Sequence, residues 1–173
     1  MLNIPFRVVS IGDVEEIYPD DTPVSEVPAF LSRLKANAYI SNLQDEDILV
    51  TADTVVILDN KILGKPADVE DAKGMLRRLS GRKHEVITGV TIASKEKSVT
   101  FSVATDVFFA PLSDGQIEYY VDNFLPLDKA GAYGIQEWIG AVGIERIDGS
   151  FYNVMGLPVF RLYKELSLFG GTL

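Results

Sequence analysis

An α/β domain built on a mixed sheet is the fold that this 173-residue sequence predicts, and three observations predict it. Residues 49–58 are apolar and β-branched, and Asp59-Asn60 separates them from Lys61-Ile62-Leu63, the pattern of a hairpin. Residues 85–93 and 99–109 are long alternating stretches joined by Ser94-Lys95-Glu96-Lys97, the pattern of an antiparallel pair. Segments with helical apolar spacing lie around these strands, without a strict strand–helix–strand rhythm.

In chain order, residues 6–9 read as a short strand, followed by an acidic loop containing Asp13, Glu15, Glu16, Asp20 and Asp21. From Pro28 to about Ile40, Phe30, Leu31, Leu34 and Ala38 recur at helical spacing. The hairpin follows. Asp68 then suits an N-cap, with Glu70 and Asp71 in a favourable first turn. Val69, Ala72, Met75, Leu76 and Leu79 form one apolar face, and Ser80-Gly81 stops the helix after Arg77 and Arg78. After the strand pair, Ser113 with Gln116 is a capping-box signature for a helix through Ile117, Tyr120 and Val121. Glycines at 131, 134, 140, 143, 149 and 156 mark a region of tight turns and close backbone approaches. A final amphipathic helix uses Phe160, Tyr163 and Leu166. The length suits one sizeable core, a single domain over residues 1–173, with no internal repeat or linker.

Composition removes several functions. Lys plus Arg number 16 against 25 Asp plus Glu, a formal charge of −9, which disfavours nucleic acid and anionic membrane as partners. One small phosphate ligand needs only a local basic cluster. There is no cysteine, so thiol chemistry and zinc–thiolate sites are excluded. A single histidine, His84, rules out His-rich metal sites, and its place after a turn at a strand start reads as structural. No apolar run reaches membrane-spanning length and the first residues lack a signal-peptide pattern, so a cytoplasmic protein is expected.

Walker A, G-x-G-x-x-G and G-x-S-x-G sequences are absent. What stands out is Asp53, a carboxylate inside an apolar strand that would normally exclude charge. Lys65 follows across the hairpin turn, between Gly64 and Pro66. Alone, such an Asp could simply bond a nearby backbone N–H.

Other polar residues fall in ordered frames. Asp13-Val14-Glu15-Glu16 precedes the first helix, whose third turn carries Lys35-Ala36. Thr51-Ala52-Asp53-Thr54 and Leu63-Gly64-Lys65-Pro66 frame the hairpin, and Leu79–Val90 opens the strand pair. Asp128-Lys129-Ala130-Gly131-Ala132-Tyr133-Gly134-Ile135-Gln136 is the densest frame, and residues 149–158 close the glycine-rich region. In this order and spacing the chain resembles the Maf family of nucleoside triphosphate pyrophosphatases, from about Ile4 to Leu166.

The resemblance implies an α/β fold with a mixed sheet in two lobes around a cleft, related to inosine triphosphate pyrophosphatase and often homodimeric. It implies hydrolysis of a nucleoside triphosphate between its α and β phosphates, with Mg²⁺ or Mn²⁺ held by carboxylates and phosphate oxygens. Carried over by position, Asp53 matches the essential acidic residue, as metal ligand or water-orienting base. Glu16 matches an acidic metal-binding position, Lys35 and Lys65 the phosphate-binding lysines, and Gln136 a substrate-binding glutamine. Thr54 is a further substrate-binding candidate. A solvated surface charge is the competing reading for Lys35 and Glu16, and a structural ion pair for Asp128 and Lys129.

The 128–136 frame resembles the branch acting on dTTP and UTP. Glu137 stands where a glycine commonly follows the Ile-Gln pair, and the family's N-terminal Ser-x-Ser-Pro-Arg-Arg segment has no counterpart in this sequence, which is thus expected to be N-terminally truncated. The alternatives are action on another, modified nucleotide, or a non-catalytic nucleotide-binding or regulatory role.

Overall fold

A computed structural model describes residues 2–10, 12 and 14–170. Among these residues five strands form one sheet in the order β2-β1-β3-β4-β5: β1 is Leu49–Leu58, β2 Lys61–Leu63, β3 Lys83–Ala93, β4 Ser98–Phe109 and β5 Ile144–Asp148. Among the described residues six α-helices accompany it: α1 Val27–Tyr39, α2 Val69–Leu79, α3 Asp114–Phe124, α4 Trp138–Gly143, α5 Phe151–Val154 and α6 Val159–Gly170. The expected mixture of helices and strands is present, and β1–β2 and β4–β5 pair antiparallel. Among the described residues no helix is long and apolar enough to cross a membrane.

The turns follow the local sequence. Asp59 and Asn60 both take positive φ, 53° and 59°, as the tight turn between β1 and β2 requires. The Asp68 side chain caps α2 by accepting from Asp71 N at 2.8 Å, and Ser113 and Gln116 close the expected capping box on α3.

One expectation is corrected. Residues 6–9 form no strand: Phe6 and Val8 are 86% and 85% exposed, and strand propensity counts for little where no neighbouring strand pairs the backbone. The glycine-rich region is more regular than its composition suggests, because α4, β5 and α5 lie within it. Asp13 lies outside the described residues.

The chain divides into two compact units. The first comprises Met1–Asp53, Thr88–Val103 and Gly156–Leu173. Its apolar clusters join Val90 and Ile92 of β3 to Leu162, Leu166 and Phe169 of α6, and Ala36 of α1 to Leu43, Leu49 and Ala93. Helix α1 lies directly on β3: a Cβ at Gly89 would fall 2.2 Å from Ala29 N and 2.3 Å from Pro28 C. Only glycine allows that approach.

The second unit comprises Thr54–Ile87 and Ala104–Met155. Its core packs Val56, Leu58, Val86 and Val107 of the sheet against Ala72, Leu76 and Leu79 of α2 and Ile117, Tyr120 and Val121 of α3. His84 belongs to this core, 2% exposed, with Nε2 2.7 Å from the Tyr133 hydroxyl and the ring beside Phe109. Burial pushes its pKa down to about 4, so the imidazole is neutral at ordinary pH, the structural role expected.

Candidate functional site

In the first unit, α1 and β1 meet through buried hydroxyl groups. The Thr51 hydroxyl donates to the Ser32 carbonyl at 2.7 Å, and the Ser32 hydroxyl donates to the Ala29 carbonyl at 2.9 Å. Ser32 Oγ also lies 2.9 Å from Thr91 Oγ1, itself 2.9 Å from Thr100 Oγ1. These bonds set the register between helix and strand. Asp53 lies two residues beyond Thr51, on the same strand face. Lys35 lies three beyond Ser32, on the same helix face. Their side chains therefore meet.

Lys35 Nζ donates to Asp53 Oδ1 at 2.6 Å and lies 2.9 Å from Glu16 Oε1. Side-chain exposure is 19% for Lys35 and 12% for Asp53, against 52% for Glu16. Burial alone would lower the Lys35 pKa, but hydrogen bonds to Asp53 and Glu16 and their negative charge leave it raised. The ammonium is thus held protonated between two carboxylates. A solvated surface charge does not describe Lys35, and a lone strand Asp bonded only to backbone does not describe Asp53.

In the second unit, β2 leads to Lys65, which is exposed. Its neighbour Gly64 accepts a hydrogen bond from Gly131 N at 3.0 Å, which fastens the hairpin to the 128–136 segment. Gly131 takes φ +68° to make that turn. Buried Tyr133 and Ile135 anchor the segment, and Gln136 emerges from it exposed. Thr54, half-buried on β1, adjoins Asp53 in sequence.

The Asp128–Lys129 ion pair is present at 2.8 Å, and Lys129 Nζ also lies 3.2 Å from Glu137 Oε1. The Tyr120 hydroxyl donates to Glu137 Oε2 and accepts from Gly134 N at 3.1 Å. Sequence reasoning noticed the charge at Glu137 but missed its partners. Tyr120 sits on the apolar face of α3 with Ile117 and Val121 and so resembled core. The available signal was its hydroxyl, since a buried tyrosine must bond something.

Among the described residues no group of three or more His, Asp or Glu side chains is arranged to hold a metal ion. Asp53 and Glu16 nonetheless bring two hard oxygen donors to one cation, the ligand type that Mg²⁺ and Mn²⁺ take.

In the first unit a helix–strand pair concentrates two carboxylates on one lysine, and in the second the hairpin carries an exposed lysine, the residues of an α/β protein that can take an anionic ligand. The family described as Maf-like protein matches residues 1–169, and the chain belongs to this family. It is similar to a dTTP/UTP pyrophosphatase of Parabacteroides distasonis, 52% identical over 168 residues, 97% of this chain and 87% of that protein. A dTTP/UTP pyrophosphatase of Porphyromonas gingivalis is 53% identical over 171 residues, 98% of this chain and 86% of that protein. One from Bacteroides thetaiotaomicron is 52% identical over 165 residues, 95% and 86% respectively.

Proposed function

We propose that this chain is a nucleoside triphosphate pyrophosphatase acting on dTTP and UTP. Water adds to phosphorus and the bond between the α and β phosphates breaks, releasing a nucleoside monophosphate and pyrophosphate. Family membership and the names of its relatives support the reaction. The observation on this chain that carries it is the Lys35 ammonium clasped by Asp53 and Glu16.

Asp53 is the catalytic residue: its carboxylate accepts a hydrogen bond from the attacking water and orients it. Lys35 holds that carboxylate in place through its hydrogen bond and keeps a third N–H for a phosphate oxygen, while Lys65, from its exposed position, offers positive charge to the phosphates. Gln136 and Thr54 supply hydrogen-bonding groups for the nucleotide. Asp53 and Glu16 would hold a divalent cation, Mg²⁺ or Mn²⁺, which when bound neutralises charge building on the phosphates. We also propose a cytoplasmic location and a homodimer, the latter tested by light scattering.

The test is pyrophosphate release by the purified chain from dTTP, UTP and a panel of purine and modified triphosphates, with Mg²⁺ or Mn²⁺ added. The expected result is equimolar monophosphate and pyrophosphate, fastest from dTTP or UTP. A purine triphosphate cleaved faster than both would overturn the pyrimidine assignment. Tight nucleotide binding without turnover of any triphosphate would favour the non-catalytic reading.

A further inference from the structure

Lys129 and Glu137 have no part in the catalytic scheme above, yet their surroundings are unusually constrained. A Cβ at buried Gly134 would lie 3.0 Å from Glu137 Cδ, 3.1 Å from Lys129 Cε and 3.2 Å from Gln136 Nε2. Three polar side chains therefore converge over one glycine. Glu137 ties them down, with one carboxylate oxygen on the Tyr120 hydroxyl and the other 3.2 Å from Lys129 Nζ. The Tyr120 hydroxyl is fully used, donating to Glu137 and accepting from Gly134 N.

The charge balance indicates what such a lysine can bind. Its ammonium already faces two carboxylates, Asp128 at 2.8 Å and Glu137 at 3.2 Å, which leaves little net positive charge to attract phosphate. Its hydrogen-bonding is different. An ammonium carries three donors, and two carboxylates leave one for a neutral acceptor. Lys65, which forms no ion pair among the described residues, is the better phosphate partner of the two.

We propose that Lys129 donates a hydrogen bond to a carbonyl oxygen of the pyrimidine base beside Gln136, and that Glu137 is the positioning residue that holds it there. This rests on the pyrophosphatase reading. The chemistry recognised is a neutral carbonyl edge, as uracil and thymine present.

The experiment uses the full chain with Lys129→Met, Glu137→Ala, Glu137→Gln and the Lys129→Met/Glu137→Ala double variant. Steady-state kinetics on dTTP are paired with binding of thymidine monophosphate and of inorganic tripolyphosphate. Lys129→Met and Glu137→Ala should each raise KM about tenfold with kcat little changed, the loss of one hydrogen bond to a charged group. Thymidine monophosphate affinity should fall by the same factor and tripolyphosphate affinity should not change. Glu137→Gln keeps one amide oxygen that can accept from Lys129 while its N–H turns to the Tyr120 oxygen, so it should recover part of the loss, and the double variant should be no worse than either single one.

Additive losses, a fall in kcat at constant KM, or weakened tripolyphosphate binding would each overturn the proposal while leaving the pyrophosphatase reading standing. If the parent chain turns over no triphosphate, that reading fails. Thymidine monophosphate binding then decides this one, and equal affinity in parent and variants overturns it. Should Glu137→Ala fail to fold, Lys129→Met and Glu137→Gln carry the same comparison.

Discussion

The two units each hold a lysine between two carboxylates, and they hold it by different means. In the first, Lys35 on α1 meets Asp53 on β1, and a buried chain of hydroxyls fixes helix against strand. In the second, Lys129 meets Asp128 and Glu137 on a loop, where one tyrosine hydroxyl bonds both Gly134 N and Glu137. Regular elements transmit position through many bonds, so one lost bond is shared among the rest. A loop held by fewer bonds has less reserve.

The largest expected effect is on the first cluster. Asp53→Asn keeps size and removes charge, and turnover should fall by about a thousandfold or more with the fold retained. Pyrophosphate release with thermal melting checks it. Parent-like turnover would strip Asp53 of its role and make the two clusters equivalent.

Next comes the frame. Gly89→Val drives a side chain into the backbone of Pro28 and Ala29 and should cost about 3 kcal/mol or more in denaturant unfolding. Gly134→Ala meets only side-chain ends at 3.0–3.2 Å and should cost about 1 kcal/mol. Similar losses at both positions would erase the contrast between rigid frame and adaptable loop.

The third effect separates the second unit's core from both clusters. His84 stays neutral when folded down to about pH 4, whereas in the unfolded chain it takes up a proton near its ordinary value of 6.5. Between these pH values the unfolded state binds more protons, so stability falls as pH drops from about 6.5 to about 4, by about 3 kcal/mol at most. His84→Phe should flatten that limb of the stability–pH curve in urea unfolding. An unchanged slope would show that carboxylates alone produce it.

A comparably small effect tests the tyrosine's hold on the loop. Tyr120→Phe leaves Gly134 N–H without its acceptor and removes the hydroxyl donor from Glu137 Oε2, and should cost about 1–2 kcal/mol in stability. A larger loss would mean that the tyrosine supports more of the second unit than its loop.

What was legible in the sequence follows the same division. Hairpin, capped helices and strand pair declare themselves through periodicity and turn residues, and Asp53 announces itself as a charge in an apolar run. The hydroxyl chain through Thr51, Ser32, Thr91 and Thr100 does not, because small polar residues on strands and helices look alike whether bonded or idle. The Glu137–Lys129–Tyr120 cluster was hidden for another reason. Its members lie on α3, on the 128–136 segment and at the start of α4, and only tertiary folding brings them together. Residues 6–9 misled because four residues with strand propensity say nothing about whether a pairing partner exists.

The grip on Lys35 also bears on its chemical reactivity. Amine-directed reagents attack the free base, and an ammonium clasped by two carboxylates seldom loses its proton. Acylation should therefore mark exposed lysines such as Lys65 long before Lys35. Any bound cation that draws Glu16 and Asp53 away from the ammonium would register as a gain in labelling at that one residue, a built-in reporter of occupancy that needs no added probe.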